Sequence, residues 1–248
     1  MSLPASAALK RYLRSISLCT DEEVQLLPMA GGQSNPTYLL RIGGQRYVLR
    51  KQPAGPLRAS AHAIDREWLV MRALSATGVP VPPMLSYCDD AALLGTPFYL
   101  MEFIDGRIFV DPALPGLTPA ERGAIYQEVS RVLATLHGVD HEAVGLGSFG
   151  RPGNYFQRQF ARWARQCDGT RRPLPAAQHR LLEWLPAHLP GPGRTTLLHG
   201  DYRLDNLVFH PTEARIIAVL DWELSTLGDP LADLAYHCMA WHIPPSVW

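Results

Sequence analysis

The four cysteines of this chain, Cys19, Cys88, Cys167 and Cys238, are scattered and form no C-x-x-C pair. That argues against a disulfide framework or a zinc ribbon and fits reduced thiols, hence a cytoplasmic protein. His137 and His141 have ligand-like spacing, but no cysteine or carboxylate pair completes a site, so they read as helix-end histidines. No apolar run approaches the roughly 20 residues that a membrane-spanning helix needs. Charge of one sign is not in excess either: 23 Lys plus Arg balance 23 Asp plus Glu. A chain so balanced offers no broad field for nucleic acid or an anionic membrane, and neither is expected as a partner. The local exception is a bunching of Arg151, Arg158, Arg162, Arg165, Arg171 and Arg172. Acids are also missing from the first twenty residues, which hold Lys10, Arg11 and Arg14. That stretch reads as an organelle presequence or as a first helix with Leu9, Leu13 and Ile16 on its apolar face, and the helix is the reading adopted.

What is present is an ordinary globular composition, 248 residues of which 47% are apolar, enough to bury a substantial core. Residues 24–52 contain three strand candidates separated by "GGQSNP" and "GG". A helical stretch over 59–77 follows, with Ile64, Trp68, Met71 and Leu74 on one stripe, and then strands "MLSYC" and "PFYLMEF". Strands broken by one helix suggest an antiparallel α+β lobe rather than alternating βαβ units. From Thr118 the character turns helical: Thr118 is placed to cap, Pro119 to open the helix, and Glu121 to close a capping box. Two further helices are read at 154–167 and 175–189, and a last one after Asp229, as cap, with Pro230 as its first residue. The boundary between lobes is placed after Ile104, giving 1–104 and 105–248. The apolar, uncharged end "HIPPSVW" leads to the expectation that the natural protein continues past Trp248.

The densest polar cluster is "LLHGDYRLDNLVF", where His199, Asp201, Asp205 and Asn206 fall within eight residues. Leu207–Phe209 and Ile216–Leu220 read as the strands of a hairpin around "HPTEA". An antiparallel hairpin brings Asn206 and Asp221 together at its open end, beside Asp201 and Asp205. A carboxylate and an amide oxygen are what a hard divalent cation takes, and so few protein oxygens favour magnesium over calcium. Asp201, four residues and then Asn206 match the D-x-x-x-x-N catalytic loop of phosphoryl-transfer kinases.

Followed by "VLDWELSTLGDPLADLA", this stretch resembles the aminoglycoside phosphotransferase family of kinase-like enzymes. It is most similar to the branch of kinase-like domains fused to acyl-CoA dehydrogenases. The resemblance implies a two-lobed α+β fold of protein-kinase type. An N-terminal antiparallel β lobe with one helix would bind ATP, and a larger, mainly helical C-terminal lobe would carry the catalytic loop. It implies that Asp201 is the catalytic base and that Asn206 and Asp221 hold Mg2+. His199 would brace the loop, and Asp233 would tie the last helix to the loop backbone. Arg203 and Asp205 match the loop pattern without a distinct role.

In the first lobe, "GGQSNPTYLLRI" resembles the family's phosphate-covering hairpin, with Gly31 and Gly32 at the turn and Ser34 facing phosphate. The strand "YVLRKQ" puts Val48 and Arg50 on one face and Leu49 and Lys51 on the other. By resemblance Arg50 stands where the family's usual phosphate-pairing lysine stands, a substitution that keeps charge and changes geometry. Lys51 competes with it. Glu67 resembles that base's carboxylate partner, though its position also suits an ordinary exposed glutamate. "PFYLMEFIDG" resembles the interlobe hinge, whose backbone at Glu102 to Ile104 would bond adenine. The implied activity is transfer of the γ-phosphoryl of ATP to a small-molecule hydroxyl. The alternative is a non-catalytic nucleotide-binding module, against which stands the presence of Asp201, Asn206 and Asp221 together. Arg158, Arg162 and Arg165, with Tyr155, Phe156 and Trp163, suit an anionic acceptor such as a hydroxy acid or its CoA thioester. A solvated arginine face accounts for them equally well.

Overall fold

The structure is a computed structural model that describes residues 3–4, 6–29, 35–55, 63–169 and 173–244. It has the α+β, two-lobed architecture expected, with an antiparallel sheet in the N-terminal part and a mainly helical C-terminal part. Two compact units are distinguished, one of residues 1–136 with 203–225, the other of residues 137–202 with 226–248.

The first unit is built on strands β1 (Leu3–Pro4), β2 (Val24–Pro28), β3 (Thr37–Ile42), β4 (Gln45–Lys51), β5 (Met84–Cys88) and β6 (Phe98–Glu102). Their order is β1-β2-β3-β4-β6-β5, antiparallel throughout. The β3–β4 turn is Gly43–Gly44, at φ 51° and 88°. A tight hairpin turn wants positive φ at both central positions, which glycine adopts without a Cβ penalty.

β4 lies inside the sheet, so both of its faces are covered. Leu49, opposite Leu100 of β6, joins a core with Leu40, Phe98 and the buried Leu9 and Leu13 of α1 (Ala7–Ser15). Ser6 opens α1 by accepting from the Leu9 N–H at 3.1 Å, so the basic N-terminal stretch is a packed helix. On the other face Arg50 is opposite Tyr99, and α2 (Ile64–Leu74) packs there. Ile64, Glu67, Val70, Met71 and Leu74 of α2 are buried, while Trp68 sits half-covered against the rings of Tyr87 and Tyr99. The sheet thus has α1 as well as α2, and a single-turn α3 (Ala91–Leu94) that is too short to show in the sequence pattern.

The long helix α4 (Pro119–His137) begins with the expected capping box. The Thr118 N–H donates to Glu121 Oε2 at 2.8 Å, and the Glu121 N–H returns to Thr118 Oγ1 at 3.3 Å. Strands β8 (Leu207–Phe209) and β9 (Ile216–Val219) form the expected hairpin. Glu128 of α4 accepts from the Ile216 N–H at 3.0 Å, and Arg107 exchanges both backbone bonds with Phe209 at 2.8 Å.

The second unit contains α5 (Tyr155–Asp168), α6 (Ala176–His188) and α7 (Leu231–Cys238). A two-stranded ladder pairs β7 (Thr196–Leu198) with β10 (Thr226–Gly228). β10 is not singled out in the sequence, because three residues are too few to display alternation. Asp229 Oδ1 accepts from the Leu231 N–H at 3.0 Å, so it caps α7 as expected, while the helix itself begins at Leu231, one residue later than expected. Among the described residues no helix is long and apolar enough to cross a membrane.

The capping box makes a checkable claim about α4. Thr118→Ala should lower the unfolding free energy by about 1 kcal/mol and Thr118→Ser should cost little, as read from denaturant midpoints.

Candidate active site

Arg50 is the centre of a charged cluster in the first unit. Its side chain is 12% exposed, and Glu67, 1% exposed, presents Oε2 to its Nε at 3.2 Å. Its Nη2 lies 2.6 Å from Asp221 Oδ1 and 3.7 Å from Glu223 Oε2. One guanidinium therefore faces three carboxylates, the situation in which arginine's planar, spread donors serve better than an ammonium point charge. Burial works against the Arg50 cation, but Glu67, Tyr99 and Asp221 outweigh it and its pKa is raised. Burial dominates at Glu67, whose pKa is pushed up to about 7; Arg50 opposes the shift, and Asp221 and Glu223 reinforce it. Tyr99, wholly buried beside both, is also raised, by burial first and by Glu67 next.

Lys51 points to the opposite face, where its Nζ donates to the Leu94 carbonyl at 2.5 Å. The strand parity that left Arg50 and Lys51 as competitors is thereby resolved in geometry: Arg50, not Lys51, shares its surroundings with Glu67. Glu67 is not an exposed glutamate.

At the open end of the β8–β9 hairpin the Leu220 N–H donates to the Asn206 carbonyl at 2.9 Å. That bond places the Asn206 backbone opposite Leu220, one residue before Asp221. Asp221 is held at φ 65°, ψ 61°, the left-handed region, which aspartate tolerates better than most residues but still at a cost. The turn that follows is fixed by the Trp222 indole N–H, which donates to the Val219 carbonyl at 2.9 Å. Strained backbone at a carboxylate beside a buried cation is a pattern found at working sites. Asp205, next to Asn206, pairs with Arg203.

The catalytic-loop motif begins in the second unit. Asp233, 1% exposed, accepts from the His199 N–H through Oδ2 at 2.8 Å and from the Gly200 N–H through Oδ1 at 2.8 Å. Gly200 sits at φ 86°, where a side chain would be strained. Wholly buried His199 accepts the Asp201 N–H on its Nδ1 at 3.2 Å. The loop backbone around Asp201 is therefore held from both sides.

Ser34, like Gly31 and Gly32, lies outside the described residues. At the hinge, the Glu102 N–H donates to the Pro83 carbonyl at 3.0 Å and the Phe103 N–H to the Arg46 carbonyl at 3.4 Å. Sequence reasoning did not single out Tyr99, Glu223 or Asn35. Asn35, wholly buried, reaches Glu223 Oε2 through Nδ2 at 3.5 Å. The spacing of Glu223 two residues after Asp221 was readable, whereas Tyr99 becomes visible only through its register with Arg50.

Asp221 and Asn206 offer the hard oxygen chemistry that Mg2+ takes when substrate phosphates and water complete its shell. Among the described residues no group of three or more His, Cys, Asp or Glu side chains is placed to hold a metal by itself.

Two outcomes follow from this geometry. Because Glu67 holds its proton more tightly when folded, the native chain binds more protons than the unfolded one between pH 4.5 and about 7. Stability relative to Glu67→Gln should therefore fall as pH rises across that window, as measured by denaturation at several pH values. Asp221→Gly should be more stable than Asp221→Ala by about 1 kcal/mol, since both lose the carboxylate and only glycine relieves the left-handed backbone.

The comparisons with known proteins agree with one another. The model of the phosphotransferase enzyme family matches residues 25–247. Acyl-CoA dehydrogenase family member 10 of Mus musculus is 50% identical over 247 residues, which is 99% of this chain and 23% of that protein. The chain thus spans about a quarter of that relative. A crystal structure of a Ralstonia eutropha protein assigned as an aminoglycoside phosphotransferase superposes with a TM-score of 0.86 and 49% identity, over 96% of this chain and 70% of that one. The streptomycin–ATP–APH(2″)-IIa complex shares the fold, with a TM-score of 0.66 and 19% identity over 93% of this chain and 74% of that one. With its two-lobed protein-kinase-like fold, and with a family match running over nearly its whole length, this chain belongs to the phosphotransferase enzyme family.

Proposed function

We propose that the chain moves the γ-phosphoryl group of ATP to a hydroxyl of a small molecule. The observation that most supports this reading is the buried Arg50, held between Glu67 and Asp221, because a fixed cation beside a carboxylate is the kind of charge pair that phosphates and their counter-ion require. The nucleotide reading is supported by the ATP in the APH(2″)-IIa complex. We assign nucleotide binding to residues 1–104 and the catalytic loop to residues 105–248.

Arg50, oriented by Glu67, positions the phosphates, and the resemblance assigns Ser34 to the same task. The hinge N–H groups of Glu102 and Phe103 are bonded within the first unit, so Glu102 contributes its carbonyl and Ile104 its N–H to the adenine edge. Asn206 and Asp221 would hold Mg2+, which when bound would supply positive charge to the phosphates. Asp201 accepts the proton of the acceptor hydroxyl as the new P–O bond forms and the bond to the ADP leaving group breaks. His199 and Asp233 keep the Asp201 backbone in place. Positioning and charge compensation are most of what phosphoryl transfer requires.

The acceptor we favour is anionic, a hydroxy acid or its CoA thioester. Relatives named as acyl-CoA dehydrogenase family members support this class. Fewer of the arginines are available to an anion than the sequence suggests. Arg158 donates to the carbonyls of Arg151, Pro152 and Gly153, and Arg162 lies 5.9 Å from the Trp163 ring centre. Anion recognition on that surface then falls to Arg162 and Arg165.

Product formation from Mg2+–ATP across a panel of hydroxyl compounds tests both levels. Phosphorylated hydroxy acids or their CoA thioesters are expected, and preference for cationic or neutral acceptors would overturn the anionic assignment. Asp201→Asn should lower kcat by about 10²–10⁴-fold with ATP still bound. Binding of ATP without turnover on any acceptor would favour a non-catalytic nucleotide-binding module.

A further inference from the structure

Asn35 follows directly on the "GGQS" stretch and precedes β3 by two residues. It is wholly buried. Its carbonyl accepts the Thr37 hydroxyl at 3.0 Å, and the neighbouring Pro36 carbonyl accepts the Lys51 N–H at 3.0 Å, so the backbone here is fixed. Thr37 lies opposite Arg50 in the β3–β4 ladder, which brings the Asn35 side chain to the charged cluster. Its Nδ2 is 3.5 Å from Glu223 Oε2, and that same oxygen is 3.7 Å from Arg50 Nη2. Asn35 Oδ1 meets no donor among the described residues.

A buried amide with one long hydrogen bond and an unmet oxygen lowers stability relative to an apolar side chain. Packing therefore gives no reason for asparagine at this position, and Glu223 supplies one. Three carboxylates surround one guanidinium, and Asp221 and Glu223 both push the pKa of Glu67 up. Glu223 thus stands in the cluster against repulsion and needs an anchor. A neutral N–H donor holds it there without cancelling its charge, as an ammonium group would.

We infer that Asn35 is a positioning residue for Arg50, acting through Glu223. Glu67 meets Nε, while Asp221 and Glu223 share Nη2 at 2.6 and 3.7 Å. The planar guanidinium is gripped along one edge, and Nη1 is left for a phosphate oxygen. When Asn35 lets go, Glu223 turns to solvent, to which its side chain is already 20% exposed. Asp221 then draws Nη2 alone, and the cation meets phosphate at the wrong angle. Asn35 does all this without touching the nucleotide.

The inference rests on the reading of Arg50 as the phosphate-positioning cation, and two measurements keep the two apart. The first is the affinity for ADP without metal, by titration calorimetry, across wild type, Asn35→Ala, Glu223→Ala and the double variant. Asn35→Ala should weaken ADP binding about tenfold when Glu223 is present and less than about twofold when it is alanine. Equal losses in both backgrounds, or no loss in either, would overturn the inference. The second is the nuclear magnetic resonance signal of the Arg50 Nε–H without nucleotide, which should shift in Asn35→Ala; an unmoved signal would overturn the inference as well. If Asn35→Ala does not fold, Glu223→Ala, a change at a partly exposed side chain, decides the matter. The Asn35 Nδ2 and Arg50 Nε protons should both shift in that variant, and either one unmoved speaks against the inference. If the wild type binds no ADP, the function reading fails, and the resonances alone decide whether Asn35 reaches Arg50.

Discussion

A guanidinium buried on an inner strand of a sheet has to be met by negative charge, and that requirement organises the first unit. Arg50 reaches its position because β4 runs between β3 and β6 and because strand alternation turns it away from the Leu49 face. Once there it needs Glu67, which obliges α2 to lie on that face with its glutamate pointing in. It also holds Asp221, at the end of β9, at 2.6 Å. Three separate segments of sequence are thereby tied to one charge. Removing Arg50 would leave Glu67 buried without its cation, a larger penalty than losing an exposed ion pair.

The second unit solves a different problem with a carboxylate. Loop backbone that carries a reacting group must be rigid, yet it cannot form a strand or helix and still present that group. Asp233 replaces the missing ladder by accepting two consecutive N–H groups, and its Oδ2 also meets the His137 Nε2 at 3.0 Å. Gly200 lets the chain turn there, and His199 folds back to receive the Asp201 N–H. The two centres are linked through the covalent chain, since Asn206 follows Asp201 by five residues and opens the β8–β9 hairpin.

Much of this was legible in the sequence, for identifiable reasons. The capping box at Thr118, the hairpin around "HPTEA" and the glycine pair between β3 and β4 each rest on local chemistry, which a few adjacent residues specify completely. The α+β, two-lobed architecture followed from where strand-like and helix-like patterns change over. Strands of three residues, such as β10, and the single turn of α3 were not legible, since neither is long enough to show a period. Parity could say that Arg50 and Lys51 face opposite ways but not which of them faces Glu67. That choice needed the position of α2, which is a matter of packing. His137 does end α4, as read, but its contact with Asp233 was not legible, because that partner lies in another helix far along the chain. Ser34 falls outside the described residues, and its role rests on resemblance.

The affinity of an Arg50→Met chain for Mg2+–ATP tests most directly whether Arg50 is the charge that positions nucleotide phosphate. Methionine keeps much of the apolar stem and removes only the cation. Titration calorimetry on folded protein should show binding weakened by about tenfold or more relative to wild type. Wild-type affinity in a folded Arg50→Met chain would contradict that role.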